Sequence, residues 1–264
     1  MKTLIAIPAR HASTRYPGKP LVSLRGPDGE KTLIRRSWEV AVAVHGIERV
    51  VVATDDDRIA DHAGGFGAEV VMTSSDARNG TERCAEVAAK LPGHDIIVNL
   101  QGDAPLTPTW FIEHLVEGLA RAPEADIATP VLRCDGRAVA GFLADRRAGR
   151  VGGTTAVFGT GGRALYFSKE VIPYLGRDFA PDEPTPVFHH VGVYAYRPAA
   201  LAAYPSWPIG PLETLEGLEQ LRFLENGRNV LCVEVEARGR QFWELNNPSD
   251  VPIIEAMLAA ESKA

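Results

Sequence analysis

At 264 residues, 45% of them hydrophobic and 23% charged, the chain has the composition of a globular protein long enough to bury a substantial α/β core. Its net charge of −6 argues against nucleic acid or an anionic membrane as the main partner, so an anionic small molecule would need a local basic pocket. The cysteines, Cys84, Cys134 and Cys232, lie far apart and form no CxxC motif or disulfide framework, which suits a reducing, cytoplasmic setting. The first strand is expected almost at once, so no signal peptide is expected, and no apolar run approaches membrane-spanning length.

Leu4 to Ile7 is a continuous apolar run, expected to form a strand buried on both faces and stopped by Pro8. The following loop holds Arg10, Arg15 and Lys19 among Ala12, Ser13 and Gly18, with Pro17 and Pro20 stiffening it. Fixed cations at a strand's carboxyl end can cradle a polyphosphate, although the same composition would serve a solvated basic loop. Thr32 to Val44 reads as an amphipathic helix and Arg49 to Ala53 as the next buried strand. Thr54-Asp55-Asp56-Asp57 reads as a helix amino-terminus capped by Thr54 or Asp55. Glu69 to Met72 is a shorter strand, and Asn79-Gly80-Thr81-Glu82-Arg83 opens a helix running to Lys90. Ile96 to Leu100 is a third buried strand, closed by Gln101-Gly102-Asp103-Ala104-Pro105-Leu106, and Trp110 to Leu119 is a helix. A carboxylate such as Asp103, directly after a buried strand, is placed to hold Mg²⁺ against a triphosphate, or to serve as a turn residue.

The second half opens with a strand, Ile127 to Leu132, and then a Gly-, Ala- and Arg-rich stretch, 134–155, expected as loop and helix. A hairpin (Ala156–Phe158 and Ala164–Phe167), a Pro-rich loop from Phe179 to Thr185, and a strand from Val187 to Tyr196 follow. A charged helix from Pro211 to Leu224, a strand from Val230 to Val235 and a helix from Pro248 to Ala260 complete the pattern. This alternation predicts an α/β fold with a doubly wound, mostly parallel sheet.

Several segments resemble one family. Arg10-x-x-Ser13-Thr14-Arg15-x-Pro17-Gly18-Lys19-Pro20-Leu21 is similar to the signature loop of the 3-deoxy-manno-octulosonate (Kdo) cytidylyltransferases, which wraps a nucleotide triphosphate. Val98-Asn99-Leu100-Gln101-Gly102-Asp103-x-Pro105-Leu106 resembles that family's metal motif. Residues 79–83 resemble its Ser-Gly-Thr-Glu-Arg over the nucleoside. In the second half, Ala164-Leu165-Tyr166-Phe167-Ser168-Lys169 has lysine where arginine is usual. His190-Val191-Gly192-Val193-Tyr194-Ala195-Tyr196-Arg197 and Pro211-Leu212-Glu213-x-x-Glu216-x-Leu218-Glu219-Gln220-Leu221-Arg222 match two further segments. The likeness runs from residue 3 to about 255, poorly over 134–155.

The resemblance implies a single Rossmann-like nucleotidyltransferase domain over 1–264, with a CTP-binding half over 1–133 and a smaller acceptor-binding and dimerisation half over 134–264. It implies that Arg10, Arg15, Lys19 and Asp103 serve catalysis, and that Ala9, Ser13, Asn79, Gly80, Thr81, Arg83 and Gln101 bind the nucleotide. His190, Tyr194 and Glu219 would line a sugar-acid pocket. Without the resemblance, His189-His190 reads as a turn or buried pair, and Glu213, Glu216 and Glu219 read as a solvated helix face with Arg222. Mg²⁺ is the implied cofactor, held by Asp103 and the residue at position 246. There the family has aspartate and this chain has Asn246, with Glu244 two residues earlier as a possible substitute if the segment is a strand. The family's Asn-Pro-Asn-x-Val-Lys-Val-Val reads here as 150–157, with Thr155 for its lysine. The expected reaction is CMP transfer from CTP to an acidic acceptor, Kdo or a related sugar acid, in a homodimer. A small phosphonate acceptor and a non-catalytic CTP-binding homologue are the alternatives.

Overall fold

The computed structural model describes residues 1–12, 16–151, 153–240 and 243–261. Ser13 and Arg15 lie outside the described residues. In chain order the elements are Thr3–Ala9 (β1), Ser23–Gly26 (β2), Gly29–Thr32 (β3), Leu33–Val42 (α1), Arg49–Thr54 (β4), Asp57–Gly65 (α2), Glu69–Met72 (β5), Gly80–Lys90 (α3), Ile96–Leu100 (β6) and Thr109–Arg121 (α4). They continue with Ile127–Asp135 (β7), Gly136–Arg147 (α5), Thr154–Phe158 (β8), Ala164–Ser168 (β9), Pro184–His190 (β10), Val193–Tyr196 (β11), Pro198–Ala203 (α6), Pro211–Glu216 (α7), Leu221–Glu225 (α8), Val230–Glu234 (β12) and Val251–Glu261 (α9).

The chain folds into an α/β structure with two compact units. The first comprises Met1–Glu113, Tyr196–Ala202 and Ala237–Ala264. Its strands pair in the order β5–β4–β1–β6, all parallel. Leu4, Ile5, Ala6 and Ile7 are wholly buried, and successive strand residues point to opposite faces, so β1 is covered on both. The helices show how. Ile34 of α1 and Ile7 both lie within 3.6 Å of where a β-carbon on Gly102 would stand, whereas Gly80 at the start of α3 comes close to Pro8 and Asn99. Ile7 and Pro8 are neighbours along β1, so α1 and α3 cover opposite faces, as a doubly wound sheet requires. The parallel register, Ala9 beside Thr54 and Thr54 beside Met72, brings the strands' carboxyl ends to one edge.

The first unit also contains an antiparallel hairpin, β2–β3, in the stretch 23–32, to which sequence reading assigned no strands. Its Gly26-Pro27-Asp28-Gly29 turn was the available signal. Arg36, 5% exposed, ties the hairpin down by donating to Leu24 O at 3.0 Å, Gly29 O at 2.8 Å and Asp28 Oδ1 at 3.0 Å. Leu24, Leu33, Leu106, Leu245 and Ile254 form one buried cluster beneath it. That cluster draws the carboxyl-terminal segment into the first unit, so the compact units do not divide at residue 133.

The second unit comprises His114–Ala195 and Ala203–Glu236. Here β7 pairs antiparallel with β10 and parallel with β12, and antiparallel pairing continues from β10 to β8 to β9. The hairpin expected at 156–167 is β8–β9. Four other expectations are refined. The stretch 134–155 yields the end of β7 and α5, whose amino-terminus is capped by Asp135 accepting from Ala138 N at 2.8 Å. The strand expected over 187–196 is split into β10 and β11 where Val193 N bonds back to Val191 O at 2.7 Å, a three-residue turn. The helix expected from Pro211 is split into α7 and α8 by Gly217, whose φ of 62° ends a helix at little cost only for glycine. A 3₁₀ turn, Pro248–Asp250, precedes α9.

The solvated helix face with Arg222 is overturned for Glu213 and Arg222. Arg222 is fully buried, and its Nε and Nη2 donate to Glu213 at 2.7 and 2.6 Å. Its guanidinium also lies 4.1 Å from the Tyr204 ring centroid. Gly217 makes this possible by turning α8 back against α7. Substituting Arg222→Ala is expected to leave Glu213 buried without its counter-charge and to lower unfolding free energy by about 3–5 kcal/mol. Urea unfolding checks this; a loss below about 1 kcal/mol, the range of exposed pairs, would contradict it.

Candidate active site

The first cluster forms at the carboxyl edge of the parallel strands. All five residues of β6, Ile96 to Leu100, are buried, and Gln101-Gly102-Asp103 turns out of the strand. A β-carbon on Gly102 would stand 2.7 Å from Pro8 O, so only glycine lets this turn lie against the end of β1. Ser37 Oγ donates to Gly102 O at 3.2 Å, and Leu245 N donates to Asp103 O at 3.0 Å. The backbone of Asp103 is thus held from three sides. Its carboxylate receives Lys19 Nζ at 2.6 Å, across 84 positions of sequence. Lys19 opens the 3₁₀ turn Lys19–Leu21, which Gly18 N joins to His11 O at 3.0 Å. Ala9 is buried at the end of β1, and Arg10 is exposed immediately after it.

Asn246 lies in the same unit. Asp250, 8% exposed, fixes its backbone by accepting from Asn246 N at 2.9 Å and Asn247 N at 2.7 Å. Residues 243–247 are not a strand, so the alternation that would have put Glu244 on the face of Asn246 does not apply. Among the described residues no group of three His, Cys, Asp or Glu side chains could hold a metal by itself. The donor set is the Asp103 carboxylate with an adjoining amide-bearing segment. It fits a hard cation that takes one protein carboxylate and draws its other oxygens from phosphates and water.

Residues 79–83 lie beside this edge. A β-carbon on Gly80 would be 3.0 Å from Asn99 Nδ2 and 3.3 Å from Gln101 Nε2, so Gly80 and Gln101 are brought together. Asn79 caps α3, its side chain accepting from Glu82 N at 2.9 Å. Thr81 and Arg83 are buried and committed inward. Thr81 Oγ1 lies 2.7 Å from Tyr196 OH, while Arg83 bonds Thr73 Oγ1 and pairs with Asp55 at 3.4 Å. Asp56, rather than Thr54 or Asp55, caps α2. Sequence reading gave no role to Asn99, which is wholly buried with no hydrogen-bond partner for Oδ1 among the described residues. The signal was available: one amide inside an otherwise apolar strand.

The second cluster forms in the second unit. His190 is 6% exposed and its ring centroid lies 5.6 Å from that of Tyr194. Thr129 Oγ1 lies 2.9 Å from His190 Nε2, 2.9 Å from Val193 O and 3.2 Å from Val191 O. The threonine hydroxyl has one proton and carbonyl oxygens only accept, so that proton goes to a carbonyl and the imidazole donates from Nε2. Burial favours the neutral ring and lowers the His190 pKa to about 3. Tyr194 OH donates to Gln220 Oε1 at 3.1 Å, and Gln220 Nε2 is buried with no hydrogen-bond partner among the described residues. Glu219 adjoins it and is half-buried, with its carbonyl accepting from Tyr204 OH at 3.1 Å. The sequence motif that contains Gln220 gives no sign of this role. Thr155, the lysine replacement, is buried and donates to Glu170 O at 2.6 Å, so that position serves the frame.

Comparison with known proteins agrees in both units. A family profile described as cytidylyltransferase matches residues 4–231. The chain is 43% identical, over 100% of its length and 99% of the relative's, to a 3-deoxy-manno-octulosonate cytidylyltransferase of Maricaulis maris. An enzyme of the same name from Zea mays is 40% identical over 96% of this chain and 79% of its own. Among solved structures, CMP:2-keto-3-deoxy-manno-octonic acid synthetase complexed with CTP superposes with a TM-score of 0.84 at 34% identity, covering 99% of this chain and 100% of that one.

The neutral imidazole makes the second cluster open to a pH test. The folded-state pKa of His190 is lowered from 6.5 to about 3, so below pH 6.5 the unfolded chain binds protons that the folded chain refuses. The stability contributed by neutral His190 is complete above pH 6.5 and declines as pH falls toward the folded value. Denaturant unfolding at pH 7 and pH 4.5 is expected to show a smaller pH-dependent loss in His190→Gln than in the unsubstituted protein. Equal losses would mean that the ring titrates normally in the folded chain.

Proposed function

The chain belongs to the cytidylyltransferase family, and from that premise we propose that it transfers CMP from CTP to Kdo, releasing pyrophosphate. The observation that carries this reading is likeness to Kdo cytidylyltransferases across both units, so that it takes in the Lys19–Asp103 cluster and the His190–Tyr194–Gln220 cluster alike. The acceptor oxygen attacks the α-phosphorus and pyrophosphate departs, a reaction in which positioning and charge stabilisation supply most of the rate. Lys19 and Arg10, with Arg15, stabilise the charge that gathers on the leaving pyrophosphate. Asp103 and Asn246 hold Mg²⁺, which when bound neutralises phosphate charge. Ala9, Ser13, Asn79, Gly80 and Gln101 line the nucleotide, while the buried side chains of Thr81 and Arg83 fix the position of that lining. On the acceptor side, His190, Tyr194 and Glu219 face the sugar acid. Support comes from Gln220, whose buried amide nitrogen has no partner among the described residues and suits an acceptor rich in hydroxyl and carboxylate oxygens.

In the proposed division of labour residues 1–133 bind CTP, and 134–264 bind the acceptor and dimerise. The dimer reading is supported by exposed apolar side chains in the second unit: Leu165 on the edge strand β9 is 65% exposed, Leu215 82% and Tyr174 92%. A cytoplasmic location is proposed from free, buried cysteines, with burial pushing the Cys134 thiol up to about 11 and that of Cys232 up to about 12. Among the described residues no helix is long and apolar enough to cross a membrane.

Pyrophosphate release with CTP, Mg²⁺ and a panel of acids is expected to be fastest with Kdo, and Asp103→Asn is expected to lower kcat at least ~100-fold. Turnover with a phosphonate alone would move the acceptor assignment, and CTP binding without turnover on any acid would mark a non-catalytic homologue. Sedimentation is expected to give a dimer of 28.5 kDa chains that Leu165→Lys shifts toward monomer. A monomer at micromolar concentration before substitution would refute the interface.

A further inference from the structure

One carboxylate oxygen of Asp103 already has a cationic partner on its own chain. Lys19 Nζ stands 2.6 Å from Asp103 Oδ2, with the two side chains only 16% and 24% exposed. The partners differ in freedom. Asp103 follows a glycine pressed against Pro8 O, and its own carbonyl is bonded by Leu245 N, so its short side chain projects from a fixed point. Lys19 is placed by its turn, and its ammonium ends a flexible four-carbon stem. Of the two, the lysine is the one that can withdraw.

We propose that Lys19 is a built-in counter-ion for Asp103, occupying in the free protein the oxygen that a divalent cation would take and leaving it when the nucleotide's phosphates offer a better partner. The inference rests on the reading of Asp103 as the metal carboxylate, and its consequence is that metal alone binds weakly. A divalent cation arriving alone competes with an ammonium at hydrogen-bond distance, and like charges that close, partly withdrawn from water, repel strongly. A triphosphate changes the balance by giving Lys19 several anionic oxygens. Nucleotide and metal then favour each other's binding through one lysine, and the coupling is reciprocal. Lys19 in this role serves before the chemical step, in addition to any contact with the departing pyrophosphate.

The test is Mn²⁺ binding to the free protein, with neither nucleotide nor acceptor, followed by the electron paramagnetic resonance of unbound Mn²⁺. Lys19→Met is expected to bind Mn²⁺ about tenfold more tightly than the unsubstituted protein, equivalent to ~1.4 kcal/mol. Lys19→Gln, which keeps a polar tip, is expected to change affinity in the same direction. The gain is expected to vanish in Lys19→Met/Asp103→Asn. Affinity in both lysine variants no higher than in the unsubstituted protein overturns the proposal, as does a gain that survives loss of Asp103. Measuring Mn²⁺ with CTP in Asp103→Asn separates the two layers. If that substitution abolishes Mn²⁺ uptake with CTP while the lysine variants bind free Mn²⁺ no better, the metal assignment stands and the counter-ion role alone fails. If Asp103→Asn leaves uptake with CTP intact, both fall.

Discussion

The nucleotide end of this protein depends on how closely the turn after β6 can approach the end of β1. Gly102 lies where any β-carbon would collide with the Pro8 carbonyl, and this contact carries Asp103 to within reach of Lys19. Parallel pairing alone brings the strand ends to a common edge, but it leaves their loops free to diverge. The close approach at Gly102, the Ser37 bond and the Leu245 bond turn an edge into a site. A lysine and an aspartate separated by 84 positions therefore meet through backbone contacts.

The second unit reaches comparable order by a different route. Its fixed points are buried polar groups bonded to one another: Arg222 with Glu213, Thr129 with His190, and Tyr194 with Gln220. Such groups tolerate little displacement, because each partner left alone in the interior carries its full desolvation cost. They hold Tyr194 and the 219–220 segment in one arrangement although α7 and α8 are each very short.

Much of this was legible in the sequence, and the reasons for the remainder are physical. Strands buried on both faces, such as Leu4 to Ile7 and Ile96 to Leu100, announce themselves as apolar runs, and their loops carried the basic and acidic residues that mark the first cluster. The β2–β3 hairpin was harder because it is short and polar, with no periodicity to set it apart from a loop. The helix from Pro211 looked continuous because the spacing of Glu213, Glu216 and Glu219 is helical, yet one glycine in the left-handed region divides it. Arg222 illustrates the general difficulty: a charged residue is read as exposed until the partner that permits its burial is known. Asn246 was recognisable as a changed position, but its relation to Asp103 depends on Leu245 and Asp250, which no local pattern reveals.

The return of residues 237–261 to the first unit also bears on how the protein is made. Leu245 supplies the bond to the Asp103 carbonyl, and Leu245 and Ile254 complete the cluster under Leu24 and Leu33. These residues are translated after every strand of both units. Amino-terminal portions of a chain generally begin to fold during synthesis, so the parallel strands can assemble on the ribosome while the segment that braces Asp103 is still missing. The nascent chain passes through a stage in which its phosphate loop and strand edge exist but their brace does not, and the site matures only once that segment has been made.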